Sequence, residues 1–400
     1  MKRIVSPIQN VIKKLTVFAA VLILLLSLAS PLRAEGNLSI VQSSARTAFP
    51  DTLTFNVSAQ SAADITDIRL HYAVERQGFA SITSEVAADF KSGKKADASW
   101  TLEMVRLGGL PPGTVIDYWW TVGDTAGNKV DSPKSQVRFE DKRYNWKSIS
   151  DGGLTLYWYE GNDAFANSLM AAAKDALARL AKQTGATLEK PVRLYIYASS
   201  QDLLGSMINP QEWTGGVNYS RYSIIVIGIA PGNLAWGIGA MAHELTHQVI
   251  GQVTTNPYAG LPTWLDEGLA VNNEEPPAAN YASLVAKAAA SKALISVRSL
   301  ASPFSAYGDQ AYLSYAESYS IVKFLIGKYG QPKMLELLRT FREGATYDGA
   351  LMKVYGFDMD GLNTLWQDYV TGATRTAVPQ PAPGVLIGGL TLNSPLPSCW

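Results

Sequence analysis

Cysteine and histidine are both scarce in this sequence of 400 residues. The one cysteine, Cys399, stands next to the last residue, so the chain cannot form an internal disulfide. Histidine occurs three times, as His71, His243 and His247. The folded chain must therefore be held together by packed cores or by a metal ion, and histidine chemistry is possible at few places.

An excess of charge of either sign is also absent. Lysine and arginine together number 34, as do aspartate and glutamate, which gives a formal net charge of zero. Proteins that bind nucleic acids usually carry a basic patch or a basic excess. The charge balance therefore indicates that neither a nucleic acid nor another polyanion is a partner.

Long hydrophobic runs are missing except near the N-terminus. Basic residues precede an apolar run over residues 15–29, and the helix-breaking Pro31 follows it. This layout is typical of a secretory signal peptide, which we predict over residues 1–34 with cleavage after Ala29 or Ala34. The run is shorter than the roughly 20 residues that span a bilayer, and an uncleaved anchor is the alternative. We expect an exported protein whose only membrane contact is this segment.

Short alternating segments separated by turns fill residues 36–140. Period-2 alternation over residues 52–59, 67–75 and 114–124 predicts an all-β sandwich of antiparallel strands. The stretch LPPGTVIDYWWTVGDTAGN resembles fibronectin type III and related immunoglobulin-like modules, and this resemblance implies a sandwich of that type. His71 falls in one of the strands, where we interpret it as a packing residue.

A different pattern begins at residue 141. A helix is predicted over residues 162–185, and mostly helical periodicity returns after two β-rich runs. The β-rich runs cover residues 192–199 and 222–230, and the later helices cover residues 283–294, 310–330, 332–344 and 359–372. We predict an α+β domain over residues 141–375 and a flexible tail, rich in proline and glycine, over residues 376–400.

Two of the three histidines belong to the motif HELTH, residues 243–247. The helix predicted around it, residues 233–252, carries an apolar stripe, and His243 and His247 lie together on nearly the opposite side. Side chains four residues apart on a helix can reach one Zn²⁺. Glu244, between them, can contact a water in the site without being a ligand, which makes it the predicted general base.

Two histidines leave a zinc site incomplete, because a catalytic site has three protein ligands and one open position. No further histidine is near in sequence, so the third ligand must be a carboxylate. The segment LPTWLDEGLAV supplies Glu267 at a helix–loop–helix distance from His247. The sequence thus predicts one Zn²⁺ per chain, bound by His243, His247 and Glu267. We interpret the adjacent Asp266 as helix-end electrostatics.

The pair HELTH and WLDEGLA resembles the gluzincin metallopeptidases, in which a glutamate is the third zinc ligand. The region from about residue 146 to residue 370 resembles the peptidase MA-like family more than it resembles the related M1-like enzymes. This resemblance implies a zincin-like catalytic domain and a peptide or protein substrate. It assigns His243, His247 and Glu267 to the zinc and Glu244 to the general base.

Two more residues match this family. Glu274 matches a glutamate that supports a ligand histidine in M1-like enzymes. Tyr315, in the segment YAESYSIVKFL, matches a tyrosine that hydrogen-bonds the tetrahedral oxyanion; Tyr312 and Tyr319 are rivals. Ser318 and Glu317 stand where the family pattern has glycine and lysine.

The M1-like strand G-x-M-E-N, which binds a free substrate amine, is absent from this sequence. The corresponding region reads WTGGVNYSRYSIIV, and Gly215 and Gly216 there form either a close-approach edge strand or a plain turn. Aminopeptidase specificity is therefore not predicted for this chain.

We expect an exported zinc metallopeptidase in which a zinc-activated water attacks the peptide bond. Two alternatives stay open. One is a non-catalytic exported binding or adhesion protein with a structural zinc, and the other is a zinc hydrolase that acts on non-peptide amide bonds.

Overall fold

A computed structural model describes residues 38–76, 82–210, 214–274, 280–305 and 307–372 of the chain. The predicted signal segment, residues 1–34, and the predicted flexible tail, residues 376–400, lie outside these ranges. Within them, none of the helices is both apolar enough and long enough to span a membrane. The chain divides into two compact units: a first unit of Met1–Met170 with Lys190–Gly237, and a second unit of Ala171–Glu189 with Ile238–Trp400.

The first unit contains a sheet of seven strands built from alternating sequence. In β5, the residues Ile116, Tyr118, Trp120 and Val122 are buried on one face, as period-2 alternation predicts. The strands are β1 Ser39–Ala48, β2 Thr52–Val74, β3 Thr83–Ala87, β4 Gly93–Glu103, β5 Thr114–Asp124, β6 Lys129–Asp131 and β7 Ser135–Phe139. The predicted N-terminal all-β architecture is confirmed.

Strand β2 has 23 residues and is longer than predicted. Residues 52–60 pair with β1 and β4, and residues 65–74 pair with β3 and β5. The predictions over residues 52–59 and 67–75 therefore describe one strand, in which a register shift replaces the expected turn. The seven described strands are joined through β2 into one sheet, and the immunoglobulin or fibronectin III identity is not confirmed.

His71 lies in β2 and packs as a strand residue. Its ring is stacked on Trp119 with 5.1 Å between centroids, and its Nε2 lies 2.9 Å from Thr121 Oγ1. This histidine belongs to the first unit, whereas His243 and His247 belong to the second.

A second sheet of five strands completes the described part of the first unit, in the order β11-β12-β10-β9-β8. Its strands are β8 Lys147–Asp151, β9 Leu154–Trp158, β10 Val192–Tyr197, β11 Gly216–Tyr219 and β12 Ile224–Gly228. The predicted runs over residues 192–199 and 222–230 are β10 and β12, which are parallel and nearly fully buried. Gly216 begins β11, an edge strand, and a Cβ on Gly215 would lie 3.1 Å from the Trp236 ring.

Helix α1 covers Asp163–Thr184, close to the predicted residues 162–185. Asn162 caps its start, since the Asn162 Oδ1 accepts a hydrogen bond from the Phe165 amide at 3.0 Å. Gly185 follows its last residue with a φ of 75°, which favours glycine. The short helix α2, Ser200–Leu204, was not predicted.

The second unit is mainly helical. Its core is formed by large buried side chains that include Trp264, Ile321, Leu337 and Trp366. The helices are α3 Leu234–Thr254, α4 Thr263–Asn273, α5 Tyr281–Ala290, α6 Gly308–Arg342, α7 Tyr347–Tyr355 and α8 Met359–Thr371. With the strands before them, they confirm the predicted α+β organisation.

Helix α6 contains a kink at Gly330, whose φ of 82° and ψ of 169° are not helical. Pro332 follows, and proline is well tolerated in the first turn of a helix because it lacks an N–H donor. The two predicted helices, residues 310–330 and 332–344, are therefore the two parts of α6. Helix α7 was not predicted; the Thr346 hydroxyl caps it by accepting from the Gly349 amide.

Candidate active site

Helix α3 presents its two histidines opposite an apolar face. Ala242, Leu245 and Val249 are at most 1% exposed and face the core. The side chains of His243 and His247 are 18% and 14% exposed, so both are accessible but largely enclosed. The predicted separation of the two faces is therefore present in the structure.

Three side chains converge on one point beside α3. The Nε2 atoms of His243 and His247 lie 3.1 Å apart, and Glu267 Oε2 lies 3.4 Å from the first and 3.5 Å from the second. Candidate ligand atoms of all three residues lie within 4.8 Å of one another. Glu267 reaches this point from α4, in the helix–loop–helix arrangement that the sequence predicts.

The polar atoms at this point fit a metal ion. Glu267 Oε2 is buried and has no hydrogen-bond partner among the described residues. A buried carboxylate oxygen without a partner is unfavourable, and a cation placed between it and two imidazole nitrogens removes this cost. Two nitrogen ligands and one oxygen ligand match a catalytic Zn²⁺ site, which keeps a fourth position open.

The carboxylates around His243 and the imidazoles around Glu267 shift the pKa values of these groups. Burial opposes the charged form of His243, but the neighbouring carboxylates of Glu267 and Glu274 outweigh it and raise the His243 pKa to about 9. Burial likewise opposes the charge on Glu267, yet the two imidazoles hold its pKa well below the usual range. The site thus favours a negative charge on Glu267 and positive charge beside it.

Each histidine has a second carboxylate on its far side. His243 Nδ1 lies 2.7 Å from Glu274 Oε1, the partner expected from the family resemblance. Glu274 follows the last residue of α4 with extended backbone angles, rather than continuing the helix. His247 Nδ1 lies 3.1 Å from Asp266 Oδ1.

The contact of Asp266 is one that the sequence analysis missed. Asp266 precedes Glu267 directly, and its position in the first turn of α4 suggested only helix-end electrostatics. The signal was its adjacency to Glu267, the candidate third ligand, since the two side chains leave the helix one residue apart. The structure places Asp266 in the first turn of α4, as expected, and adds the contact with His247.

Glu244 is half-buried on α3 between the two histidines in sequence. Burial raises the pKa of its carboxyl group, and the imidazoles of His247 and His243 oppose this rise. A carboxylate whose pKa is raised by burial is a better proton acceptor than one in open solvent. Its chemistry suits the role that the motif assigns to it.

Of the three candidate tyrosines on α6, Tyr315 is the one beside the histidines. Its ring centroid lies 6.5 Å from that of His243, and its other side packs edge-on against Phe304 at 5.1 Å. Burial is the main cause of its raised pKa, with further contributions from Glu267, Glu244 and Glu274. The phenol therefore stays protonated and can donate a hydrogen bond.

The two rival tyrosines make other contacts. The Tyr312 hydroxyl donates a hydrogen bond of 2.7 Å to Asn280 Oδ1. The Tyr319 hydroxyl accepts one of 3.4 Å from Lys323 Nζ, and the Tyr319 ring lies 6.1 Å from that of Tyr281. The geometry therefore favours Tyr315 among the three.

Gly268 sets the distance between α4 and α6. A Cβ at this position would lie 2.5 Å from the Ser318 carbonyl oxygen, closer than real contacts allow. Glycine lets the two backbones approach, and it stands next to Glu267 on α4. The close approach fixes the position of Glu267 relative to Tyr315, which lies one turn before Ser318 on α6.

Comparisons with known proteins can be set beside this geometry. No curated protein matches the chain in sequence. Among solved structures, the M1 zinc metallopeptidase from Deinococcus radiodurans has 13% identity and a TM-score of 0.37, over 87% of this chain and 96% of that one. A carbohydrate-binding module of family 56, a beta-1,3-glucan binding domain, has 16% identity and a TM-score of 0.16, over 24% and 96%. Both TM-scores are below 0.5, so neither likeness supports a conclusion about this chain.

The match to a family model is more informative. The model described as the Peptidase MA superfamily matches residues 172–372, which is half of the chain. The matched region contains every residue of the metal cluster together with Glu244, Glu274 and Tyr315. The predicted resemblance is confirmed, and the chain belongs to the peptidase MA superfamily.

Proposed function

We propose that this protein is an exported zinc-dependent peptidase that hydrolyses peptide bonds with Glu244 as the general base. The convergence of His243, His247 and Glu267 on one point is the observation that carries the proposal, together with the Glu267 oxygen that has no hydrogen-bond partner among the described residues. Membership of the peptidase MA superfamily supports the reaction class. One Zn²⁺ per chain accounts for the three ligands.

The bound zinc would supply Lewis acidity and would lower the pKa of a water molecule towards about 7. Glu244 would accept the proton from the water molecule that attacks the carbonyl carbon of the peptide bond. The same carboxyl group returns the proton to the leaving amine. Its burial supports both steps, since a raised pKa brings the carboxyl group closer to the working pH.

Tyr315 is the proposed donor to the oxyanion that forms on the carbonyl oxygen. Its hydroxyl stays protonated, because burial and three nearby carboxylates raise the pKa of the phenol. A donor that is fixed before the reaction stabilises the developing charge without the cost of reorganising solvent. The packing of Tyr315 against Phe304 and beside His243 supplies this fixed position.

Zinc analysis and a digest test the proposal together. Purified full-length protein is expected to contain one zinc per chain and to cleave casein or a peptide library until a chelator is added. The matched variant is Glu244→Gln, which keeps the size of the side chain but cannot accept the proton. It is expected to retain zinc and to lose turnover; hydrolysis equal to that of the wild type would refute the general-base assignment.

The same experiment separates the alternatives. Bound zinc without chelator-sensitive cleavage of any peptide would favour a binding or adhesion protein with a structural zinc. Cleavage of non-peptide amides, without cleavage of any peptide, would favour the alternative of a zinc hydrolase that acts on non-peptide amide bonds. Against a purely structural zinc stands Glu244 itself, because a structural site is closed by four ligands and has no use for a base.

Export is proposed from the N-terminal segment. Expression of the full chain in a bacterium, followed by fractionation and N-terminal sequencing, is expected to give protein outside the cytoplasm. A mature N-terminus after Ala29 or Ala34 would identify the cleavage site. An intact N-terminus in the membrane fraction would indicate the uncleaved anchor, and cytoplasmic protein would contradict export.

A further inference from the structure

We infer that Asp266 is a positioning residue for the metal centre, which holds the His247 ring so that its Nε2 faces the metal. This inference rests on the proposed zinc site. It assigns a role to a carboxylate that is neither a ligand nor the general base. The contact that carries it is the 3.1 Å distance between His247 Nδ1 and Asp266 Oδ1.

The two nitrogens of the His247 ring face different groups. Nδ1 faces Asp266, while Nε2 lies 3.1 Å from His243 Nε2 and 3.5 Å from Glu267 Oε2, at the point where the ligands converge. A neutral imidazole carries one proton, and a carboxylate at Nδ1 accepts the hydrogen bond from that N–H. The lone pair of Nε2 is then free for the metal.

The arrangement at His243 is the same in kind. Glu274 Oε1 lies 2.7 Å from His243 Nδ1, and the Nε2 of this ring also points to the convergence. The two carboxylates come from opposite ends of α4: Asp266 from its first turn and Glu274 directly after its last residue. One helix thus supplies a ligand, Glu267, and orients both histidines of another helix.

The carboxylate of Asp266 also has an electrostatic effect. An anionic hydrogen-bond acceptor increases the electron density of the imidazole and makes it a stronger metal ligand. The Asp266 side chain is 41% exposed, compared with 24% for Glu274. Solvent weakens charge interactions, so we expect Asp266 to contribute less than Glu274 does.

A simple helix-end role for Asp266 makes a different prediction. An acidic residue in the first turn of a helix stabilises the helix whether or not a metal is bound. Loss of that role would lower the melting temperature of the chelated protein and leave zinc affinity unchanged. Loss of a positioning role changes zinc affinity and the geometry at the metal.

The test compares full-length wild type with Asp266→Ala, Asp266→Asn and Glu336→Ala. Glu336 is an exposed glutamate of α6 that pairs with Lys333, so its variant controls for the loss of one negative charge. Zinc affinity is measured by competition with a chromophoric chelator. Visible absorption of the Co²⁺-substituted proteins reports on ligand geometry, and thermal melts of the chelated proteins report on folding.

We expect Asp266→Ala to weaken zinc binding by about 10- to 100-fold and to alter the Co²⁺ spectrum. Asp266→Asn should recover most of the affinity, because its amide oxygen accepts the same hydrogen bond without the charge. Glu336→Ala should match the wild type. An affinity of Asp266→Ala within about threefold of the wild type would overturn the inference. The inference would also be overturned if the alanine and asparagine variants lost zinc affinity equally and if this loss matched the fall in melting temperature of the chelated variants.

The outcomes also separate this inference from the proposed function. A wild type that binds no zinc overturns both. A wild type that binds zinc and cleaves peptides, beside an alanine variant with unchanged affinity, overturns only the role of Asp266. Zinc binding that depends on Asp266, without hydrolysis of any peptide, supports the positioning role and contradicts the peptidase.

Discussion

Two buried carboxylates, one in each unit, show opposite ways to accommodate a negative charge. The Asp141 side chain is fully buried in the first unit, and its two oxygens accept hydrogen bonds from Arg143 at 2.7 and 2.8 Å and from Tyr197 at 2.9 Å. In the second unit, Glu267 Oε2 is buried and accepts no hydrogen bond from the described residues. The charge of Asp141 is balanced by the Arg143 guanidinium, so this carboxylate has no requirement for a metal ion. Glu267 faces two imidazole nitrogens, and the three side chains together can bind a metal ion.

The largest expected effect comes from removing Glu267, whose Oε2 has no hydrogen-bond partner among the described residues. Glu267→Ala deletes a proposed zinc ligand, so we expect loss of stoichiometric zinc and of chelator-sensitive hydrolysis, with the fold retained. Zinc content and circular dichroism of the purified variant measure both. Asp141→Ala is the matched control and should keep its zinc. A Glu267→Ala protein that keeps zinc would show that the two carboxylates do not differ in metal binding.

Two tyrosines extend the same comparison. Tyr315→Phe removes the proposed oxyanion donor and should reduce kcat by about 100- to 1000-fold, with little change in KM or in melting temperature. Tyr197→Phe removes a hydroxyl that donates to Asp141, and it should lower stability and leave kcat unchanged. Steady-state kinetics on a cleaved peptide, together with thermal melts, measure both variants. Normal turnover by Tyr315→Phe would return Tyr312 and Tyr319 to consideration.

The carboxylate with full hydrogen bonding should matter for folding alone. Asp141→Ala leaves the Arg143 guanidinium and the Tyr197 hydroxyl without their acceptor, and we expect a loss of about 1.5–3 kcal/mol in the free energy of unfolding. Urea denaturation followed by fluorescence measures this change. An unchanged free energy of unfolding would show that the buried pair contributes nothing net.

A third buried carboxylate, that of Glu317, has neither a cation nor a pair of imidazoles beside it among the described residues, and the effect expected from changing it is the smallest. Glu317 on α6 is fully buried and accepts a hydrogen bond from the Ile295 amide, and burial raises its pKa from 4.5 to about 8. Between these pH values the folded chain holds a proton that the unfolded chain releases, so stability decreases as pH rises.

Glu317→Gln removes this titration. The melting temperature of the variant should therefore rise relative to that of the wild type as the pH increases from 4.5 to 8. Melts of the two proteins across this range, with zinc present in both, measure the difference. A difference that is independent of pH would mean that Glu317 is ionised in the folded chain.

The ligand set could be predicted from the sequence because local geometry decides most of it. The four-residue spacing of His243 and His247 places both on one helix face, and the scarcity of histidine requires a carboxylate such as Glu267. The role of Asp266 could not be predicted in this way. It depends on how α4 packs in the folded chain, including its close approach to α6 at Gly268, and not on spacing along the chain.

The choice among the tyrosines has a similar explanation. Tyr312, Tyr315 and Tyr319 recur every three to four residues on α6 and share one side of it, so periodicity cannot separate them. Their distinct partners, Asn280, His243 and Lys323, come from packing and side-chain direction. The sequence pattern predicts two strands in place of β2 for a related reason, because the polar residues at the centre of β2 are typical of a turn.

Strand β2 has a consequence for how the first unit comes apart. Strand β2 pairs with β1 and β4 at one end and with β3 and β5 at the other, so both halves of the sheet share one continuous strand. Opening of one half exposes the shared strand to solvent and removes its support from the remaining half. Amide hydrogens at the two ends of β2 should therefore exchange in one cooperative event, as a single folding unit.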